Sequence, residues 1–155
     1  MKAPVAILVS SMLAICGCAV PGSAIRGVWV VTDVRFAGVS AMSEADARKW
    51  IGRSVSIGDV SSSLEGERLT GCRVTEKEFE ARKFFEEGFK IEPSELGLPD
   101  AKVRVFEVEH ADGLSWDAPG STIMVGKKLV LTCWDGVYFV LQKNEANKPP
   151  PSSPR

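Results

Sequence analysis

Two apolar runs joined by Asp135-Gly136 set the tightest limit on how this chain folds. Leu129-Val130-Leu131-Thr132-Cys133-Trp134 precedes the pair, and Val137-Tyr138-Phe139-Val140-Leu141 follows it. Asp-Gly accepts the positive φ angles of a two-residue type I′ turn, whose twist suits paired strands, so the segment reads as a β-hairpin. Neither strand alternates apolar with polar residues. Strands that are apolar on both faces belong in the middle of a sheet or under a helix, so the rest of the chain has to cover both sides.

The remaining signals are shorter. Residues 27–36 are rich in Val and carry Trp29, which reads as a strand. Ser43-Glu44-Ala45-Asp46 has the form of an N-cap with a carboxylate three residues on, and Trp50-Ile51-Gly52 supplies apolar contacts and a stop, predicting a short helix. Residues 54–57 and 61–64 read as short strands, and Glu65-Gly66-Glu67 as a turn into a strand over 68–74 that carries Cys72. Thr75-Glu76-Lys77-Glu78 is a second capping box. With Phe79, Ala81, Phe84 and Phe85 forming an apolar face, it predicts a second helix running to Gly88. Phe84, Phe85 and Phe89 read as core rather than as a ligand cage. Pro93-Ser94-Glu95-Leu96 reads as one helical turn, 101–109 as a strand, 111–120 as a loop around Trp116, and 121–125 as a strand joined through Gly126-Lys127-Lys128 to the Asp-Gly hairpin.

About seven short strands with two short helices predict an α+β, mainly β domain, built as a small antiparallel sheet or a partly closed barrel. The chain of 155 residues has room for one such domain over 27–143, followed by a polar tail, 144–155, that contains Lys148-Pro149-Pro150-Pro151. Charged residues make up 25% and sum to −1, so there is no basic surplus with which to bind nucleic acid.

The first residues follow a different logic. Lys2 opens the chain, and residues 3–15 are apolar apart from Ser10 and Ser11, a stretch too short to span a bilayer as a helix. Ile15-Cys16-Gly17-Cys18 resembles the lipobox of bacterial lipoproteins, in which a branched residue, a tolerant position and a small residue precede the modified Cys. The resemblance implies a signal peptide over 1–17, cleavage after Gly17, and diacylglycerol on Cys18 as the new N-terminus. It also implies a location in the cell envelope, with Ala19 favouring the outer membrane facing the periplasm. Each buried methylene contributes about 0.8 kcal/mol, so two or three acyl chains anchor a protein durably. Residues 18–26 would then form a tether shorter than about 30 Å at full extension. With Cys16 removed and Cys18 acylated, Cys72 and Cys133 remain, and an even remainder in an oxidising compartment predicts a disulfide.

No catalytic or metal-ligating set and no cofactor motif emerge. His110, the only histidine, lies among Glu107, Glu109 and Asp112, where a solvated strand end is the plainer reading. Lys127 and Lys128 read as a hairpin turn, with contact to anionic headgroups as the alternative. The aromatic candidates for binding a partner or ligand are Trp116, in its Pro/Gly loop, and Trp29; the plainer alternative for Trp116 is that it closes the core. Gly27-Val28-Trp29 resembles the Gly-x-Trp of lipocalins, where the Trp closes one end of an eight-stranded barrel. The expected function is a membrane-anchored, non-enzymatic binding module for a protein partner, in an inhibitor, immunity or assembly role. The alternatives are a lipocalin-like carrier of a small apolar ligand and a structural or stress-related envelope lipoprotein.

Overall fold

The computed structural model describes residues 22–145. The signal, Cys18 and the proline-rich part of the tail lie outside the described residues. In chain order the elements are β1 (Gly27–Phe36), α1 (Glu44–Arg48), β2 (Ser54–Ile57), β3 (Val60–Ser62), β4 (Arg68–Thr70), β5 (Arg73–Glu80), α2 (Ala81–Phe89), β6 (Lys102–Glu109), β7 (Thr122–Val125), β8 (Val130–Trp134) and β9 (Val137–Lys143), with 3₁₀ turns at Ser23–Ile25 and Pro93–Leu96. The fold is mainly β. Nine antiparallel strands form one sheet in the order β4-β3-β2-β1-β9-β8-β7-β6-β5.

That order explains the shape. β4 and β5 lie at opposite ends of the sheet, yet only Gly71 and Cys72 separate them along the chain. The sheet must therefore curl until its two ends meet at this corner, which produces a curled half-barrel. Gly71 makes the corner possible: it has φ 65°, and its N–H donates to the Asp59 carbonyl at 3.0 Å. The strand expected over 68–74 is thus two strands on opposite edges.

The Asp-Gly hairpin forms as its residues dictate. Asp135 and Gly136 have φ values of 50° and 77°, and β8 pairs with β9 from Trp134–Val137 to Leu131–Val140. Gly136 is also pressed by the loop after β1, since a Cβ there would come 2.4 Å from the Val39 carbonyl oxygen. The hairpin sits at the centre of the sheet, with β1 against β9 and β7 against β8.

Alternation along β9 separates two cores. Val137, Phe139 and Leu141 face the concave side, together with Trp29, Val31, Val55, Leu69, Phe106, Val108 and Trp116. Residues from both ends of the sheet meet in this cluster, as the inner face of a curled sheet requires. A bulge in β1 between Val31 and Asp33 resets the phase, so that Val34 also turns inward. Tyr138 and Val140 face the convex side, where Phe85, Ile91, Leu96 and Leu98 from α2 and the segment after it cover Val103, Val105, Met124 and Leu131. Burying Phe85 completely contributes roughly 1.5–3 kcal/mol.

The second helix starts later than its capping box suggests. Residues 73–80 pair along their whole length with β6, from Arg73–Glu109 to Glu80–Lys102. Thr75 caps nothing; its hydroxyl reaches Glu109 at 3.4 Å. Eight residues of register with a distant strand outweigh a local cap worth about 1 kcal/mol. Glu80 takes over as N-cap and accepts from the Lys83 N–H at 3.3 Å. At α1 the expected cap forms, with the Ser43 hydroxyl accepting from the Asp46 N–H at 3.2 Å.

The disulfide expected between Cys72 and Cys133 is absent, and both are free thiols. Cys72 packs against the concave cluster and Cys133 against the convex one. The sheet itself stands between the two sulfurs, and a bond of about 2 Å cannot cross it.

Candidate functional site: an aromatic groove on the convex face

The residues expected to meet a partner are mostly interior. Trp116 is 6% exposed and packs in the concave core, so it closes that core instead of projecting from its loop. Trp29 is buried as well, and its Nε1–H donates to the Ile25 carbonyl at 2.7 Å, which ties the first 3₁₀ turn to β1. Lys143 lies over the Trp29 ring at 5.7 Å, Arg53 over Trp50 at 5.2 Å and Arg104 over Phe106 at 5.3 Å, so cations cover the rims of the concave aromatics. Trp50 stacks on Phe139 with centroids 5.2 Å apart. His110 sits at a bend, its N–H donating to the Leu114 carbonyl. Among the described residues no group of three His, Cys, Asp or Glu could hold a metal, and no helix is long and apolar enough to cross a membrane.

The convex face differs. On α2, Phe85 and Phe89 are four residues apart and turn toward Tyr138, with centroid distances of 6.4 and 5.9 Å. Phe84 turns the other way, meeting Phe79 at 5.0 Å while still touching Phe85 at 5.2 Å and Phe89 at 5.5 Å. Phe79 pairs with Val103 at the end of β5 and is 37% exposed. Gly88 stands one turn after Phe84, and a Cβ there would meet nothing within 4 Å. These positions leave an open groove of about 510 Å³, lined by Phe79, Glu80, Lys83, Phe84, Glu87 and Gly88. An exposed ring, Phe79, and a half-buried one, Phe84, beside a missing side chain suit a partner that brings its own apolar group.

The groove also borders a free sheet edge. Among the described residues β5 pairs only with β6, and no other described strand lies beside its outer N–H and C=O groups. Its charges point to β6: Glu76 meets Arg104 at 3.2 Å, Lys77 meets Glu107 at 3.0 Å and Glu78 meets Lys102 at 2.5 Å. Exposed pairs of this kind are worth at most about 1 kcal/mol each, and they hold the charged side chains inward, away from the edge.

Beneath the aromatic cluster, Cys133 and Tyr138 are cross-strand partners, and burial pushes both the thiol and the phenol above their ordinary pKa values. At neutral pH both are protonated, which makes this pair a packing element and gives no activated nucleophile.

The groove was not legible as a site in the sequence, because its phenylalanines look like any apolar helix face. The available signal was Gly88, four residues after Phe84, where a side chain would otherwise fill the space. Comparison with protein-family models, curated proteins and solved structures found no match.

Proposed function

We propose that this chain is a bacterial lipoprotein of the cell envelope, held to its membrane through Cys18, that acts as a non-enzymatic binding module for a protein partner. The observation that supports the binding role is the open groove around Phe79 and Phe84 beside the unpaired edge of β5. An extended partner segment could hydrogen-bond along β5 and set an apolar side chain between the rings, a combination in which the backbone supplies affinity and the groove selectivity. The anchor is supported by the Ile15-Cys16-Gly17-Cys18 pattern. A carrier of a small apolar ligand draws no support from a concave side occupied by Trp29, Trp50, Trp116, Phe106 and Phe139.

Two substitutions test the two halves separately. Cys18→Ser is expected to release the protein from membrane fractions or leave it unprocessed; normal processing with normal membrane retention would refute the anchor. Gly88→Leu fills the groove from a position with open space, so it is expected to preserve folding and anchoring and to remove the co-purifying partner. Undiminished co-purification would contradict the binding reading.

A further inference from the structure

We infer that the partner segment is basic: an extended strand, antiparallel to β5, with a Lys or Arg opposite each of Glu76, Glu78 and Glu80 and an apolar residue opposite Phe79. This rests on the reading of the groove as a recognition face, and it names the chemistry that face takes. Along β5 the side chains alternate between the two faces of the sheet. Val74 packs against the concave cluster, while Phe79 sits opposite Val103 of the convex one. Glu76, Glu78 and Glu80 therefore share the concave side with Val74, and Thr75 and Lys77 share the convex side with Phe79. Residues 76–80 are all exposed.

The backbone of the same residues faces outward. The Ala81 N–H donates to the Ala101 carbonyl, one step beyond the Glu80–Lys102 pair, and on the far side of β6 the Val108 N–H donates to the Ser121 carbonyl. Both bonds set the same phase: the odd-numbered residues of β5 bond to β6, and the N–H and C=O groups of Glu76 and Glu78 point to the open edge. Charge decides what fits there. On this face β6 carries Lys102 and Arg104, and β5 carries the acids. Glu78 and Glu76 bond to these cations through Oε1, and their Oε2 atoms have no hydrogen-bond partner among the described residues. A further strand continues the alternation with cations, because opposite charges across a ladder attract and like charges repel. The groove adds Glu80 and Glu87 against one cation, Lys83. A second copy of this chain does not fit. In a two-fold antiparallel edge, every register centred between Glu76 and Glu80 sets one of these acids opposite another.

The test titrates the full chain, purified in detergent, into two fluorescently labelled peptides and reads their anisotropy. One is Thr-Lys-Leu-Lys-Thr-Lys-Thr, blocked at both ends, whose Leu falls opposite Phe79 when its lysines face the three acids; the other has Glu at each Lys position. The basic peptide is expected to bind at least about tenfold more tightly, with an advantage that shrinks as salt rises. Glu76→Gln with Glu78→Gln is expected to bring the two affinities to within about threefold, and Gly88→Leu to weaken both peptides. Equal affinities for the unaltered chain, or no binding of either peptide, overturn the proposal. So does a basic preference that survives the Gln pair, or binding that Gly88→Leu leaves untouched. A dimer that sedimentation detects and Gly88→Leu dissolves overturns it as well, because the occupant is then a second copy. Should Gly88→Leu lose the co-purifying partner while the two peptides bind alike, the basic pattern fails and the recognition face stands.

Discussion

The two faces of the central hairpin show what the same local sequence does under different covers. The concave face is closed by the curl of the sheet: both sheet ends, α1 and the Trp116 loop converge on it, and cations cap its outermost rings. The convex face is closed by one nine-residue helix and the turn after it, and where β5 turns into that helix a groove stays open between Phe79 and Phe84. Phe85 is fully buried there, while its neighbour Phe84 lines an open groove. Curl therefore produces a sealed core, and the junction of β5 with α2 leaves the other side open. The unfinished side is where recognition is expected.

The contrast can be broken by substitution. The largest effect should come from the concave side: Phe139→Ala is expected to cost about 3–5 kcal/mol in denaturant unfolding. Phe84→Ala, at a half-buried site that lines the groove, is expected to cost about half as much, roughly 1.5–2.5 kcal/mol, while removing partner binding. Equal losses from the two would mean that the faces are equally closed. Thr132 offers the opposite sign. It is fully buried on β8, opposite Phe139, and its hydroxyl has no hydrogen-bond partner among the described residues. Thr132→Val keeps the shape and is expected to stabilise by about 1 kcal/mol. A loss of stability would show that the hydroxyl has a partner.

The convex face also carries a pH signature. Cys133 and Tyr138 both have raised pKa values because burial penalises their charged forms. In the unfolded chain they ionise near 9.0 and 10.0. Above those values the unfolded state loses protons that the folded state keeps, so stability is fully present at neutral pH and falls as the solution becomes more alkaline. Unfolding midpoints measured from pH 7 to 11 are expected to decline past about pH 9, and Tyr138→Phe should flatten the decline. A decline left unchanged in Tyr138→Phe would assign it to other groups. The smallest effect concerns the thiols: in the unfolded, unreduced protein, alkylation is expected to label both Cys72 and Cys133. A mass showing them joined would contradict their placement on opposite faces.

Much of this fold was legible in the sequence, for identifiable reasons. Asp135-Gly136 and its flanking runs carry their own turn geometry, and strands apolar on both faces announce two covering layers. The cap at Ser43 is local and formed as read. The capping box at Thr75 failed because its competitor, β6, begins more than twenty residues later, and pairing at that range leaves no mark on a local motif. The same blindness to register let Cys72 and Cys133 be counted as a pair, when only the topology shows the sheet standing between them. Trp116 read more readily as packing than as recognition, and the curl of the sheet places it in the concave core. Phe79 and Phe84 were hidden in the other direction, because an apolar residue on a helix or strand looks buried until the packing around it is known.

The most direct measurement places a photo-crosslinking amino acid in the full chain, in cells, at Phe79 or Phe84, with Leu114, an exposed apolar residue away from the groove, as the control. The expected result is a discrete crosslinked adduct from positions 79 and 84, lost in the Gly88→Leu background, and none from position 114. The same adducts from all three positions, or adducts from 79 and 84 that persist when Gly88→Leu fills the groove, would contradict the assignment of recognition to the convex face.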